Sequence, residues 1–301
     1  MLDKVRPSKA DSERDLQFEL NRLNSLRLNP TLPSPRWEDQ LSEVATLSLL
    51  EGKFLEASRQ AVAARAAEAP TDAARFIAWF EALKDSGPGQ NDPLFPWLAE
   101  QCSMEQMKWF LTQEVAGEAG FEDLTALTQL KLPTRPKLEL ARNYWDEMGR
   151  GNPKAMHGPL LSALAEHLDL TPLPETTVTE AIALANTMAG LAANRRYAYH
   201  SVGALGVIEM TAPGRSAATS AGLKRLGVRA KNRHYFALHA ILDIKHSAAW
   251  NSEAIEPLVS ENPAVATAIA EGALMRLQCG ARCFERYRSE FGLPSAAACV
   301  S

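Results

Sequence analysis

Three side chains in one short stretch have the types and spacing to hold a metal. In Tyr235-Phe236-Ala237-Leu238-His239-Ala240-Ile241-Leu242-Asp243-Ile244-Lys245-His246, the residues His239, Asp243 and His246 fall at i, i+4 and i+7. At about 100° per residue, an α-helix sends all three from one narrow face. Two imidazoles and a carboxylate converging in this way suit a first-row transition metal. Leu238, Ile241, Leu242 and Ile244 beside them argue against a broad water-facing stripe. The question for the rest of the chain is whether it supplies further carboxylates.

Several acids sit in apolar surroundings. Glu114 lies among Trp109, Phe110, Leu111 and Val115, with Glu118 one helical turn later and Glu122 expected to face solvent. A carboxylate buried without a partner costs several kcal/mol or gives up its charge, so a cation is expected beside it. Glu147 follows Tyr144-Trp145 and precedes Gly149 and Gly151. His157 comes ten residues after Glu147, about three turns on along a helix distorted at Pro153. Glu209 ends the apolar run Val202-Gly203-Ala204-Leu205-Gly206-Val207-Ile208, with Arg195, Arg196 and Arg215 as its alternative ion-pair partners. Glu114, Glu147, His157, Glu209, His239, Asp243 and His246 thus make seven donors from four helices. That is the donor set of a dinuclear iron or manganese site in a helical bundle, with carboxylates to bridge and neutralise two cations and imidazoles to complete each sphere. The first-helix carboxylate is open between Glu114 and Glu118.

These residues also carry a family resemblance. Glu114, then Glu147-Met148-Gly149-Arg150-Gly151 with His157, then Glu209, then His239-x3-Asp243-x2-His246 resemble the pattern of the haem-oxygenase-like di-iron oxidases and oxygenases, the iron-containing redox enzymes. The resemblance spans about residues 95 to 250. It implies a haem-oxygenase-like bundle without haem, two irons cycling between Fe2+ and Fe3+, and O2 as co-substrate. It further implies a small amino-acid- or fatty-acid-like substrate, N-oxygenated, oxidatively decarboxylated or cleaved at a C–C bond in specialised natural product biosynthesis, with an electron donor or reductase as partner. In the expected site, Glu114 or Glu147 bridges, His157 and His246 anchor opposite sides, and Glu209, His239 and Asp243 complete the second ion. Trp109, Tyr144, Trp145 and Tyr235 are candidate pocket walls, and the alternative for each is plain core packing.

The elements that must position these groups read as helices throughout. Of 301 residues 46% are hydrophobic, ample for a core. Ala, Leu and Glu are abundant, and β-branched alternation is almost absent. Breakers at 30–35, 86–89, 132–136, 171–174 and 212–214 divide the chain into an all-α bundle of about seven core helices with extra N-terminal ones. Helices are expected at Trp37 to Ala69 and Thr71 to Lys84, and over 175–210 as one long helix or two in tandem. We expect residues 1–90 to form an N-terminal helical extension, 91–290 the bundle and 291–301 a flexible tail. The extension's apolar faces suit a homodimer contact. A net charge of -4 gives no pull toward nucleic acid or anionic membrane, and no apolar run is long enough to span a bilayer. A cytoplasmic protein is the expectation. Cys102, Cys279, Cys283 and Cys299 do not have the spacing of a zinc framework. The basic stretch 221–233 is either a solvated face or a carboxylate-binding rim. The competing reading of the whole chain is a non-catalytic helical protein that binds metal structurally or serves protein interaction.

Overall fold

The computed structural model describes residues 13–295. The charged leader before them, the end of the expected tail and Cys299 lie outside the described residues. Of the described residues 79% are helical and none lies in a strand, as the composition predicts.

Three helices precede the site-bearing part: α1 (Glu13–Leu28), α2 (Trp37–Ala66) and α3 (Ala73–Ser86). The Asp72 carboxylate accepts from the Arg75 N–H at 2.9 Å and caps α3, which is why the helix begins after Asp72 and not at Thr71. Then come α4 (Leu94–Glu100), α5 (Met104–Gly117), α6 (Phe121–Thr128), α7 (Thr134–Glu147), α8 (His157–His167), α9 (Thr179–Ala193) and α10 (Ala198–Arg225). The chain closes with α11 (His234–Ala249), a π-helical turn (Trp250–Ile255), α12 (Glu256–Glu261) and α13 (Val265–Glu290). The first three helices rest on the others: α1 on α9, α2 on α9 and α13, α3 on α10 and α12. Arg27 with Glu51 (2.7 Å) ties α1 to α2, and Arg59 with Glu271 (3.0 Å) ties α2 to α13.

Helix α10 is the central post, packed against α11 and α13 and also against α3, α4 and α9. Its contact with α13 is made backbone to backbone. A Cβ on Gly203 would come 1.9 Å from the Ile269 carbonyl oxygen, and one on Gly272 would come 1.9 Å from that of His200. Only glycine permits this approach, and it fixes the height of α10 against α13.

The expected 175–210 helix is two helices joined by a 3-10 turn at Arg195–Tyr197, with a break at Asn194. The expected stop at 212–214 is overturned, because Pro213 lies inside α10. Proline lacks the N–H that would have bonded the Glu209 carbonyl. The helix persists because its surroundings, not its own ladder, hold it: residues on both sides of Pro213 are buried in the bundle.

Candidate metal centre

Helix α7 carries Glu139, Asn143 and Glu147 at i, i+4 and i+8, all buried. Glu147 is its last residue. Beyond it the chain does not continue as a helix to His157, as the spacing had predicted. It turns through Gly149, Arg150 and Gly151 at φ values of +60°, +53° and +84°, and α8 then starts at His157. A Cβ on Gly149 would meet the Ala155 carbonyl carbon at 2.6 Å, so the turn closes only on glycine. The tight return brings His157 back onto Glu147, with Nδ1 2.8 Å from Glu147 Oε2.

Helix α11 delivers His239, Asp243 and His246 to the same place, all three buried. Its flanking apolar residues do the opposite of what the sequence suggested. Ile241 and Ile244 are 68% and 60% exposed, on the outer side of the helix. Glu209 arrives from α10 and is buried.

Two trios of donor atoms result. Glu147, His157 and His239 place their ligand atoms within 4.8 Å of one another, and so do Glu147, Glu209 and His246. Glu147 belongs to both. Its Oε2 faces the first trio, 3.5 Å from His239 Nε2, and its Oε1 faces the second, 3.5 Å from His246 Nδ1. His239 therefore sits with His157 and not, as expected, with Glu209. Asp243 lines the same pocket, and its Oδ1 is buried with no hydrogen-bond partner among the described residues.

The hydrogen bonds behind the imidazoles set their tautomers. His239 Nδ1–H donates to the Tyr235 carbonyl at 2.8 Å, which leaves Nε2 as a lone pair facing the trio. His246 Nε2–H donates to Asp146 Oδ2 at 3.3 Å, and Asp146 is itself held by Arg150 at 2.6 Å, which leaves Nδ1 toward Glu209 at 3.4 Å. His157 Nε2 meets Glu118 Oε1 at 2.9 Å and the Tyr235 hydroxyl at 3.0 Å, which turns Nδ1 inward. His157 Nδ1 and His239 Nε2 then lie 3.0 Å apart. Two lone pairs at that separation require a cation between them, a proton or a metal. Orientation of a ligand imidazole through its other nitrogen is characteristic of metal sites.

The electrostatics also ask for positive charge. Burial, and Glu209 next to it, push Asp243 up to about 8. Burial would lower His246, but Glu209 and Glu147 beside it outweigh that and raise it to about 9. His157 is likewise raised well above its ordinary value, against burial, by Glu118 and Glu147. Without a metal, protons gather on the site to offset its crowded carboxylates; the residues present fit a divalent pair that would displace those protons.

The pocket is small, about 60 Å³, and is lined by Glu118, Phe121, Ile208, Ala212, Ser216 and Tyr235 as well as the six gathered ligand candidates except His246. Such a space takes a few water-sized groups and no more. Of the expected donors, Glu114 is the one not brought in. Glu118 is the first-helix carboxylate on the pocket wall, because α5 ends at Gly117 and the chain bends there, turning Glu118 onto His157. Glu114, one turn back, faces Arg215, Arg276 and Tyr287 instead. Glu122 does not face solvent freely, since its Oε2 is buried and its Oε1 lies against Gly158. Among the candidate walls Tyr235 lines the pocket, Trp109 packs edge-on against Tyr287, and Trp145 is exposed. Asp146 and Asn143, whose Nδ2 donates to Glu209 at 2.6 Å, escaped the sequence reading. The i, i+4, i+8 polar row of α7 could have signalled Asn143. In the basic stretch, Arg225 clamps the carbonyls of Ala99 and Cys102, and Arg233 bonds Ser220.

An all-α bundle whose helices turn carboxylates and imidazoles into one buried pocket is the architecture of bundle-core metal sites. The sequence signature of the iron-containing redox enzyme family matches residues 108–281, and the chain belongs to that family. It is an iron-dependent oxidoreductase with a haem-oxygenase-like helical fold. A search of curated proteins gives no match.

Proposed function

We propose that the protein is a non-haem di-iron oxidase or oxygenase that uses O2. The observation that carries this reading is the pair of donor trios sharing Glu147, one oxygen to each. His157 and His239 would hold one ion, Glu209 and His246 the other, with Asp243 as the further carboxylate on α11 and Glu118 the carboxylate beside His157. Iron held there would supply the electrons and the open positions for O2 activation. The chain's own part is to orient the imidazoles through Tyr235, Asp146 and Glu118, and to keep bulk water out with Phe121, Ile208 and Ala212. The substrate would be a small amino-acid- or fatty-acid-like molecule, undergoing N-oxygenation, decarboxylation or C–C cleavage, with a separate electron donor to return the irons to Fe2+. The test is O2 uptake by protein reconstituted anaerobically with Fe(II) and screened against such acids. Uptake is expected to need iron and to vanish in Asp243→Ala and His246→Ala while helical content stays at the wild-type level. Undiminished turnover in either variant would remove the proposed site.

A further inference from the structure

Tyr235 stands on the wall of the metal pocket, and neither the ligand set nor the orientation of the imidazoles uses the proton of its hydroxyl. It is the second residue of α11, one turn before His239. Its ring is clamped on three sides. It lies edge-on to His157 with 4.9 Å between centroids, edge-on to Phe236 at 5.0 Å, and tilted against His239 at 4.5 Å. A fixed ring fixes the hydroxyl oxygen, so only the O–H bond is left to turn. Among the described residues the one hydrogen-bonding neighbour of that oxygen is His157 Nε2, at 3.0 Å.

That neighbour cannot take the Tyr235 proton. His157 gives Nδ1 to the first trio, so its Nε2 carries the hydrogen and can only donate. Two oxygens stand before Nε2–H, Glu118 Oε1 at 2.9 Å and the phenol at 3.0 Å. The carboxylate is the stronger acceptor, and the Phe121 N–H holds the same Oε1 in place at 3.0 Å. Nε2–H is therefore spent on Glu118, and the Tyr235 O–H turns away from the imidazole. A phenol keeps its proton at neutral pH, and a buried donor without an acceptor is costly. For a hydroxyl on this wall, the direction left open is the pocket.

We propose that Tyr235 is the hydrogen-bond donor of the metal pocket, its O–H aimed at a two- or three-atom ligand that occupies the space beside the ions. The proposal deepens the oxidase reading above and rests on it, because that reading gives His157 Nδ1 to a metal and calls for a diatomic ligand, O2. The size fits, since about 60 Å³ has room for such a ligand and not for a substrate's body. The charge fits as well. A ligand that gains negative charge here meets carboxylates at Glu118 and Asp243, and the phenol offers it a proton to bond to. No covalent bond is made or broken in this role.

The test uses full-length protein loaded anaerobically with Fe(II) and treated with nitric oxide, a diatomic probe whose N–O stretch responds to hydrogen bonding. In the wild type the stretch is expected to differ between H2O and D2O. Tyr235→Phe keeps the ring and the backbone carbonyl that holds His239, and removes only the hydroxyl, so iron uptake and helical content should match the wild type. In that variant the isotope shift should vanish, the stretch should rise, and nitric oxide should bind roughly 3- to 10-fold more weakly, as for loss of one neutral hydrogen bond. Ser216→Ala, which removes the hydroxyl that α10 brings to the wall, should keep the shift. A wild type without the shift, a shift retained in Tyr235→Phe, or a shift lost in Ser216→Ala would each overturn the proposal and leave the oxidase reading standing. A chain that takes up no iron, or whose iron takes no nitric oxide, would sink that reading and this proposal with it.

Discussion

Asp146 settles which nitrogen of His246 carries the proton, and so which one is free for a metal. It does so from the last turn of α7, with Arg150 holding it in place. Asp146→Asn should therefore lower iron affinity by roughly 10- to 100-fold, the usual cost of losing such a partner, with little effect on folding. Competition with a chelator measures this, and an unchanged affinity would show that the contact is incidental. At this scale the sequence was most informative where spacing is rigid. His239, Asp243 and His246 share one uninterrupted helix, so their common face follows from periodicity alone. Asp146 was invisible, because a carboxylate next to Glu147 on a helix points away from it, and only the path of α11 brings His246 within its reach. Glu114 and Glu118 could not be separated, because the bend after Gly117 decides between them and depends on packing.

Helices α7, α10 and α11 must be held at one height for two trios to share a carboxylate. The close approach of α10 to α13 sets part of that height. Gly203→Ala would drive a methyl group into the Ile269 carbonyl, and overpacking of this kind costs about 1 to 3 kcal/mol or more. The expected outcome is a lower urea midpoint together with weaker iron retention, since Glu209 sits on the displaced helix. A midpoint within error of wild type would mean that the contact relaxes freely. The helical class, the start of α2 and the start of α11 were legible from apolar periodicity and breakers. The course of α10 through Pro213 was not, because proline is a local signal and the packing that overrides it is tertiary. The turn from Glu147 to His157 was half legible. Gly149 and Gly151 marked a special backbone, but not that it would fold His157 back onto Glu147.

For the molecule as a whole, the crowded carboxylates make the metal-free state sensitive to pH. His246 titrates at about 9 when folded against an ordinary 6.5, so its stabilisation is complete below about 6.5 and is lost as pH rises through 9. Asp243 titrates at about 8 when folded against an ordinary 3.8, so the folded state holds a proton that the unfolded state has released, and stability falls as pH rises toward 8. Both act in the same direction between pH 6.5 and 8, and His246 alone carries the loss on to 9. Metal-free protein should lose urea resistance over that range, and iron should flatten the loss by replacing both protons. A metal-free protein more stable at pH 9 than at 6.5 would contradict this. The central claim is that Glu147 bridges two ions, and iron content after anaerobic reconstitution tests it most directly. Two irons per chain are expected in the wild type, with both lost in Glu147→Ala. One iron per chain in the wild type, or two retained in Glu147→Ala, would contradict the account.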